Sequence, residues 1–297
     1  MTVYGRTYDL GGSTVNITFY GVRGSTPCSS DAMARYGGNT SCIVVEAPQS
    51  PPIVLDLGTG LRYYGETIPP DKPLCAVALV SHLHWDHVQG LPFFGPALRP
   101  GSRIDVYSAA PNCGMTLAQA FNQSMCPPYF PVCLADLRGE FSFTEVSKCS
   151  FTVGDVTVTA APVPHLGPTL GFRLDWKGRS LAFIPDHQQP VDGSLSIANE
   201  VLDLADGVDL LIHDAQYTAD EFRTKRDWGH STVEYAVHVA VEADVGMLAL
   251  FHHDPSHSDD FVDGLAAEAR VAKGCRTMEI FAAHEGLTVV LAPRSLD

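Results

Sequence analysis

"SHLHWDHVQG" (Ser81–Gly90) sets three histidines and one aspartate within the six positions from His82 to His87. The stretch directly follows the apolar run "LCAVALV" (Leu74–Val80). A lone histidine is usually a hydrogen-bonded surface or core residue. Four ligand-type side chains in six, on the turn that leaves a buried strand, read instead as a metal site. Alternate residues of an extended chain point the same way, so His82 and His84 face one ion together. Where the chain bends towards a helix, Asp86 and His87 turn to a neighbouring position. Imidazole and carboxylate suit Zn²⁺, Mn²⁺ or Fe. Two such ions about 3.5–4 Å apart form a hydrolytic centre.

The rest of the chain is ordinary globular material. It has 297 residues, 45% hydrophobic and 18% charged, enough to bury a substantial core. No apolar run has the length of a bilayer span, so no membrane partner is expected. The opening "MTVYGRTYDLGGSTV" is polar and Gly-rich and lacks the apolar core of a secretory signal, so a cytoplasmic location is expected. Net charge is −15, from 34 acidic and 19 basic residues. That field repels polynucleotides at long range and argues against long nucleic acid as a partner. A small anionic substrate held by a metal is compatible with it. The eight cysteines include no Cys-x-x-Cys pair, which argues against a zinc knuckle and for free or buried thiols in a reducing compartment.

Strand-like runs recur between Gly, Pro, Asn and Asp. "TVNITFYG", "SCIVVEA", "PPIVLDLG" and "LCAVALVSH" read as consecutive strands of one sheet, with "RIDVYSA" (Arg103–Ala109) a further strand. "FTVGDVTVTAAPVPH" predicts a hairpin turning at Gly154-Asp155, and "TLGFRLDWKGRSLAFIPD" a second turning at Lys177-Gly178. "GVDLLIHDA" and "VGMLALFHHD" have the continuous apolar character of strands buried on both faces. Helical spacing marks Ser196–Gly207, Ser231–Asp244 with Ser231 as its cap, and Ser258–Gly274. Runs of strands followed by strand–helix alternation predict two mixed sheets face to face with helices outside, an α/β sandwich. The Pro- and aromatic-rich segment at about 93–141 reads as a long functional loop, or as a cover for a sheet edge.

The H-x-H-x-D-H motif after an apolar strand resembles the metallo-β-lactamase superfamily, whose fold is an αββα sandwich. "GVRGSTP", "YGGNTSC", "VLDLGTGLR", "PPYFPV", "FIPDHQ" and "LALFHHDPSHSDD" look like its branch of ribonuclease Z and phosphonate-pathway cyclic phosphodiesterases. The resemblance spans nearly the whole chain, so residues 1–297 read as a single hydrolase domain. It implies two divalent ions, Zn²⁺ first, with Mn²⁺ or Fe as alternatives. It assigns His82, His84 and His165 to the first ion, Asp86, His87 and His252 to the second, and Asp186 as the bridge. His253 would point to the opposite side from His252, and His187 is left out of the set. A water between the ions would ionise near neutral pH and act as nucleophile.

The resemblance further implies His230, in "DWGHSTVEYA", as general acid and Asp214, in "LLIHDAQY", as the carboxylate that orients it. Asp86 is counted as catalytic as well as ligating. A proton donor helps an alkoxide leave, which favours phosphodiester hydrolysis. Ribonuclease Z carries a basic arm that grips transfer RNA, whereas the interval between Asp186 and Asp214 holds neither Lys nor Arg. A small, cyclic-nucleotide-like phosphodiester is therefore expected. The alternatives are a ribonuclease Z-like RNA endonuclease, a carboxylic ester, lactone or thioester hydrolase of the same fold, and a non-enzymatic sensor. Tyr129 or Phe130 would stack on a base or, as single aromatics more often do, pack in the core; Arg23 would contact substrate or brace its loop, and Asp56 would hydrogen-bond a ligand histidine. The resemblance also suggests a homodimer.

Overall fold

The computed structural model of the protein describes residues 14–272 and 277–293. The opening residues up to Ser13, Gly274 as a helix end, and Cys275 lie outside the described residues. Strands β1 (Val15–Gly21), β2 (Cys42–Glu46), β3 (Ile53–Leu55), β4 (Cys75–Leu79), β5 (Arg103–Ser108), β6 (Glu140–Glu145) and β14 (Thr288–Leu291) form one sheet, in the order β14-β1-β2-β3-β4-β5-β6. Strands β7 (Cys149–Val153), β8 (Val156–Pro162), β9 (Leu170–Trp176), β10 (Arg179–Ile184), β11 (Leu210–Asp214), β12 (Met247–Phe251) and β13 (Glu279–Ala282) form the other, in the order β13-β12-β11-β10-β9-β8-β7. Both sheets are mixed: β3 to β6 run parallel, as do β10 to β13, and the remaining neighbours are antiparallel.

Side-chain alternation builds the layers. Ile17, Phe19 and Leu55 of the first sheet meet Phe172, Phe183 and Phe251 of the second in one buried cluster. The outer face of the second sheet, through Ala182, Leu211 and Leu248, is covered by α4 (Asn199–Ala205), α6 (Val233–Glu242) and α7 (Asp259–Ala272). The outer face of the first, through Val44, Ala78 and Val106, is covered by α1 (Leu61–Thr67) and α3 (Leu117–Ser124). Central strands covered on both sides are buried throughout, as β11 is, with its apolar run Leu210–Ile212 ending in the buried His213 and Asp214. The result is an αββα sandwich. Each large apolar side chain fully buried in these layers contributes roughly 1.5–3 kcal/mol.

Both hairpins turn where expected, with Gly154 at φ 56° and Lys177-Gly178 at φ 45° and 73°. Two expectations are corrected, and for Arg23 the second of its two expected roles holds. The 93–141 segment is more regular than a long loop: it contains β5, α3 and the start of β6, and Thr116 and Gln119 close a reciprocal cap at the head of α3. The α6 cap is Thr232, not Ser231: its side chain accepts the Tyr235 N–H, while the Ser231 hydroxyl donates to the His187 carbonyl. Arg23 braces its loop: its buried guanidinium donates to the carbonyls of Gly37, Asp254 and His257 and lies 3.6 Å from Asp259.

Candidate metal centre

Parallel strands open their carboxyl ends on the same edge of a sheet, where α/β proteins gather functional groups. Asp56 follows β3, Ser81–His87 follow β4, Asp186 follows β10, Asp214 ends β11 and His252 follows β12. Asp186 and His165 sit beyond the last paired residues of their strands, Ile184 and Pro162, rather than on them. His84 precedes a short helix, α2 (Trp85–Val88), which turns Asp86 and His87 inward. His230 lies between α5 (Ala219–Thr224) and α6.

These side chains converge. Ligand atoms of His82, His84, His165 and Asp186 lie within 4.8 Å of one another, as do those of Asp86, His87 and His252. Asp186 faces both groups. Its Oδ2 is 3.6 Å from Nε2 of His82 and of His165, and its Oδ1 is 3.1 Å from Nε2 of His87 and 3.2 Å from that of His252. Asp86 Oδ2 is 3.2 Å from Nε2 of both His87 and His252, and accepts the Ser25 N–H at 2.7 Å.

Acceptors outside the cluster set the imidazole tautomers. Nδ1–H of His87 donates to Asp56 at 2.7 Å, that of His165 to the Gly229 carbonyl at 2.6 Å, and that of His252 to Gln216 Oε1 at 2.9 Å. Each bond fixes the ring and leaves the Nε2 lone pair facing the cluster. Buried atoms rarely lack a hydrogen bond, yet Nε2 of His82, Nε2 of His87 and Oδ1 of Asp186 have none and converge on one space. Burial, aided by the charge of neighbouring His87, holds His82 well below the usual imidazole range, and burial lowers His84 and His165 as well. Burial pushes Asp86 and Asp186 upward, but the surrounding imidazoles outweigh it and hold both well below the usual carboxylate range. Burial works to lower His87 and His252 too, but Asp186 and Asp86 outweigh it and raise both above the usual imidazole range, so a cation bound there would displace protons that the carboxylates now favour. Three lowered imidazoles, two carboxylate-paired imidazoles and two ionised carboxylates are a donor set that fits divalent cations.

Backbone geometry serves the same end. Asp56 and His252 both adopt left-handed φ, 59° and 60°, a strained state for non-glycine residues that collects at functional sites. A Cβ on Gly24 would sit 2.3 Å from the His252 ring, and one on Gly229 2.5 Å from the His165 ring. These glycines let the backbone pass directly behind two imidazoles.

His230 stands beside the cluster. Its Nδ1 is 2.9 Å from Asp214 Oδ2 and 3.8 Å from Asp186 Oδ2, and its ring stacks on His252 at 4.9 Å. Fully buried Asp214 also accepts the backbone N–H groups of His187 and Gln216, which hold it in place. His253 turns away and donates to the Ala283 carbonyl; His187 pairs with the buried His213 at 2.9 Å. Neither joins the cluster groups. Phe130 packs edge-on against Phe93, whereas Tyr129 is 87% exposed. Gln216 and Gly229 escaped the sequence reading. Gln216 stands two residues after Asp214, but nothing in an Asp-Ala-Gln sequence marks its amide as the support of a histidine 36 residues away.

Two hollows meet at the cluster. One, about 530 Å³, is lined by Ser25, Asp86, Asp186 and His230 together with Leu83, His84 and Trp85. The other, about 600 Å³, shares Leu83, His84 and Trp85 and extends towards α3. Among the described residues, no helix is long and apolar enough to cross a membrane.

Comparison with known proteins accords with this geometry. A family model described as a beta-lactamase superfamily domain matches residues 53–253. Ribonuclease Z from Synechococcus sp. (strain CC9311) is 26% identical over 306 residues, covering 86% of this chain and 93% of that enzyme. The metallo-beta-lactamase fold protein YhfI from Bacillus subtilis superposes with a TM-score of 0.70 at 17% identity, covering 94% of this chain and 100% of YhfI. A diphosphatase from the PhnP family superposes at 0.65 and 18% identity, covering 93% and 97% of the two chains. Similarity to ribonucleases fits poorly with the expectation, drawn from net charge, that long nucleic acid is no partner. The chain belongs to the beta-lactamase superfamily, a metal-dependent hydrolase family, has the metallo-β-lactamase fold, and is similar in sequence to that family's ribonuclease Z branch.

Proposed function

We propose that the protein is a dinuclear metal phosphodiesterase acting on a small, cyclic-nucleotide-like phosphodiester. The observation that carries this reading is His230, held by Asp214 at 2.9 Å and lining the same hollow as Asp86 and Asp186. His82, His84 and His165 would hold one divalent ion, Asp86, His87 and His252 the other, and Asp186 would bridge them, with Zn²⁺ favoured over Mn²⁺ or Fe. Bound there, two such ions supply Lewis-acid activation of water and of the phosphoryl oxygens. The chain's own groups do the rest. Asp214 fixes the orientation and tautomer of the imidazole through Nδ1–H, leaving Nε2 towards the hollow. The Nε2 proton then passes to the departing alkoxide as its P–O bond breaks. An acyl substrate with a stable leaving group has less need of that donor.

Substrate size follows from charge. Neither hollow is lined by any lysine or arginine. A polynucleotide is normally gripped through several phosphates by such side chains. A second reading, cleavage of structured RNA, is favoured by the ribonuclease Z similarity. The test is a panel of bis(p-nitrophenyl) phosphate, 2′,3′- and 3′,5′-cyclic nucleotides, a transfer RNA precursor and a lactone, run on metal-reconstituted protein. We expect turnover of the small diesters. Cleavage of the RNA alone supports the second reading, and activity on the lactone alone removes the phosphodiester assignment.

A further inference from the structure

The hollow of about 600 Å³ beside the cluster differs in chemistry from the one that His230 lines. Its walls include Trp85, Pro111, Met115, Ala120, Phe121 and Tyr129. Asn112, Gln123 and Ser124 add neutral hydrogen-bonding groups, and no lysine, arginine, aspartate or glutamate lines it. Its floor reaches His82 and His84, which belong to the first metal group. Two of its aromatics are held out in solvent, Trp85 at 79% and Tyr129 at 87% exposure. Large aromatic side chains are normally buried, so a pair left exposed at the rim of one cavity calls for an occupant.

We infer that this bay receives an uncharged, flat aromatic group carried on one ester arm of the substrate, stacked between Trp85 and Tyr129, while the phosphoryl group sits at the cluster. The inference rests on the phosphodiester reading above and narrows it to diesters with one bulky aromatic substituent. A cavity of this volume holds a bicyclic ring with room to spare. The lining matches such a group: apolar walls for its faces and neutral amides and a hydroxyl for its edge. A second phosphate would enter the same space without a cationic partner and at a desolvation cost. Chain continuity adds to the case. Trp85 lies between the ligands His84 and Asp86, so a ring seated on it is one residue from the metal groups.

Two phosphinates without a cleavable P–O–C bond, dimethylphosphinate and methyl(naphthylmethyl)phosphinate, test this by calorimetry on Zn²⁺-reconstituted protein. We expect the naphthyl compound to bind at least ~10-fold more tightly, as burial of one large ring implies. Ala120→Trp, which fills the bay, brings the ratio towards one. Tyr129→Ala, at a solvent-exposed position that leaves the core untouched, reduces it at least ~3-fold and keeps the test open if the first variant fails to fold. Equal affinity for the two probes, or a preference that survives Tyr129→Ala and any folded Ala120→Trp, overturns the inference. Turnover of naphthyl methyl phosphate is read in parallel. A preference in binding without hydrolysis of any diester leaves the bay standing and removes the reaction; hydrolysis without a preference does the reverse.

Discussion

His230 and Asp214 separate two roles that a histidine beside a metal cluster can play. If His230 donates a proton to the leaving group, its loss must depend on how much that group needs one. His230→Ala should lower kcat ~10²–10⁴-fold for an alkyl diester and far less for a p-nitrophenyl diester, with metal content unchanged. Equal losses on both substrates would assign the residue to positioning instead. Asp56 acts one layer further out, through the 2.7 Å bond that aims His87. Asp56→Ala should weaken metal retention ~10–100-fold in competition with a chelator. The candidate cluster His82–His87 was legible because its four ligand-type side chains lie within six positions of sequence. Asp56 was legible as a partner in kind but not in identity. Gln216 was not, because a ligand's support is chosen by the tertiary approach of β11 and β12 and leaves no local pattern.

At the scale of elements, the central strands carried their own signature. "LLI" of β11 and "MLALF" of β12 are apolar on both faces because helices cover one side and the other sheet covers the opposite side. Phe183 on β10, fully buried between the sheets, should cost about 3–5 kcal/mol on truncation to Ala, measured by urea unfolding. Thr232 caps helix α6, and Thr232→Ala should cost about 1 kcal/mol by the same measurement. The elements that sequence did not reveal are short or marginal. β6 ("EFSFTE") is an edge strand paired only to β5, with a half-buried pattern and glutamates at both ends. Helices α1 and α5 are seven and six residues long, too short for apolar periodicity to stand out. The Pro- and aromatic-rich character of the 93–141 segment was real, but it marks the wall of a cavity rather than a lack of structure.

Over the whole molecule, the acidic balance belongs mostly to the surface, and the cluster gathers its two carboxylates among imidazoles instead. Burial of phenols gives a pH dependence away from the metal site. Burial and then the hydrogen bond to Asp263 push Tyr36 up to about 12, and burial pushes Tyr235 up to about 12. Both values lie above the ordinary value of 10.0, so the folded state holds these protons more tightly than the unfolded chain. Their contribution to stability is complete below pH ~10 and is lost as pH rises towards ~12. Absorbance at alkaline pH should show these two phenols ionising late, with the melting temperature falling over the same range. The sandwich itself was readable from its strand runs and its H-x-H-x-D-H motif. The meeting of six separate chain segments, at His82–His87, His165, Asp186, Asp214, His230 and His252, was implied only by resemblance, since no single-segment pattern encodes it. The most direct test of that meeting is metal content after reconstitution and dialysis, measured by mass spectrometry on the wild-type chain and on Asp186→Ala. Two divalent ions per wild-type chain, and loss of at least one on removing the shared carboxylate, is the predicted result. A wild-type chain that retains none, or a variant that retains both, would contradict it.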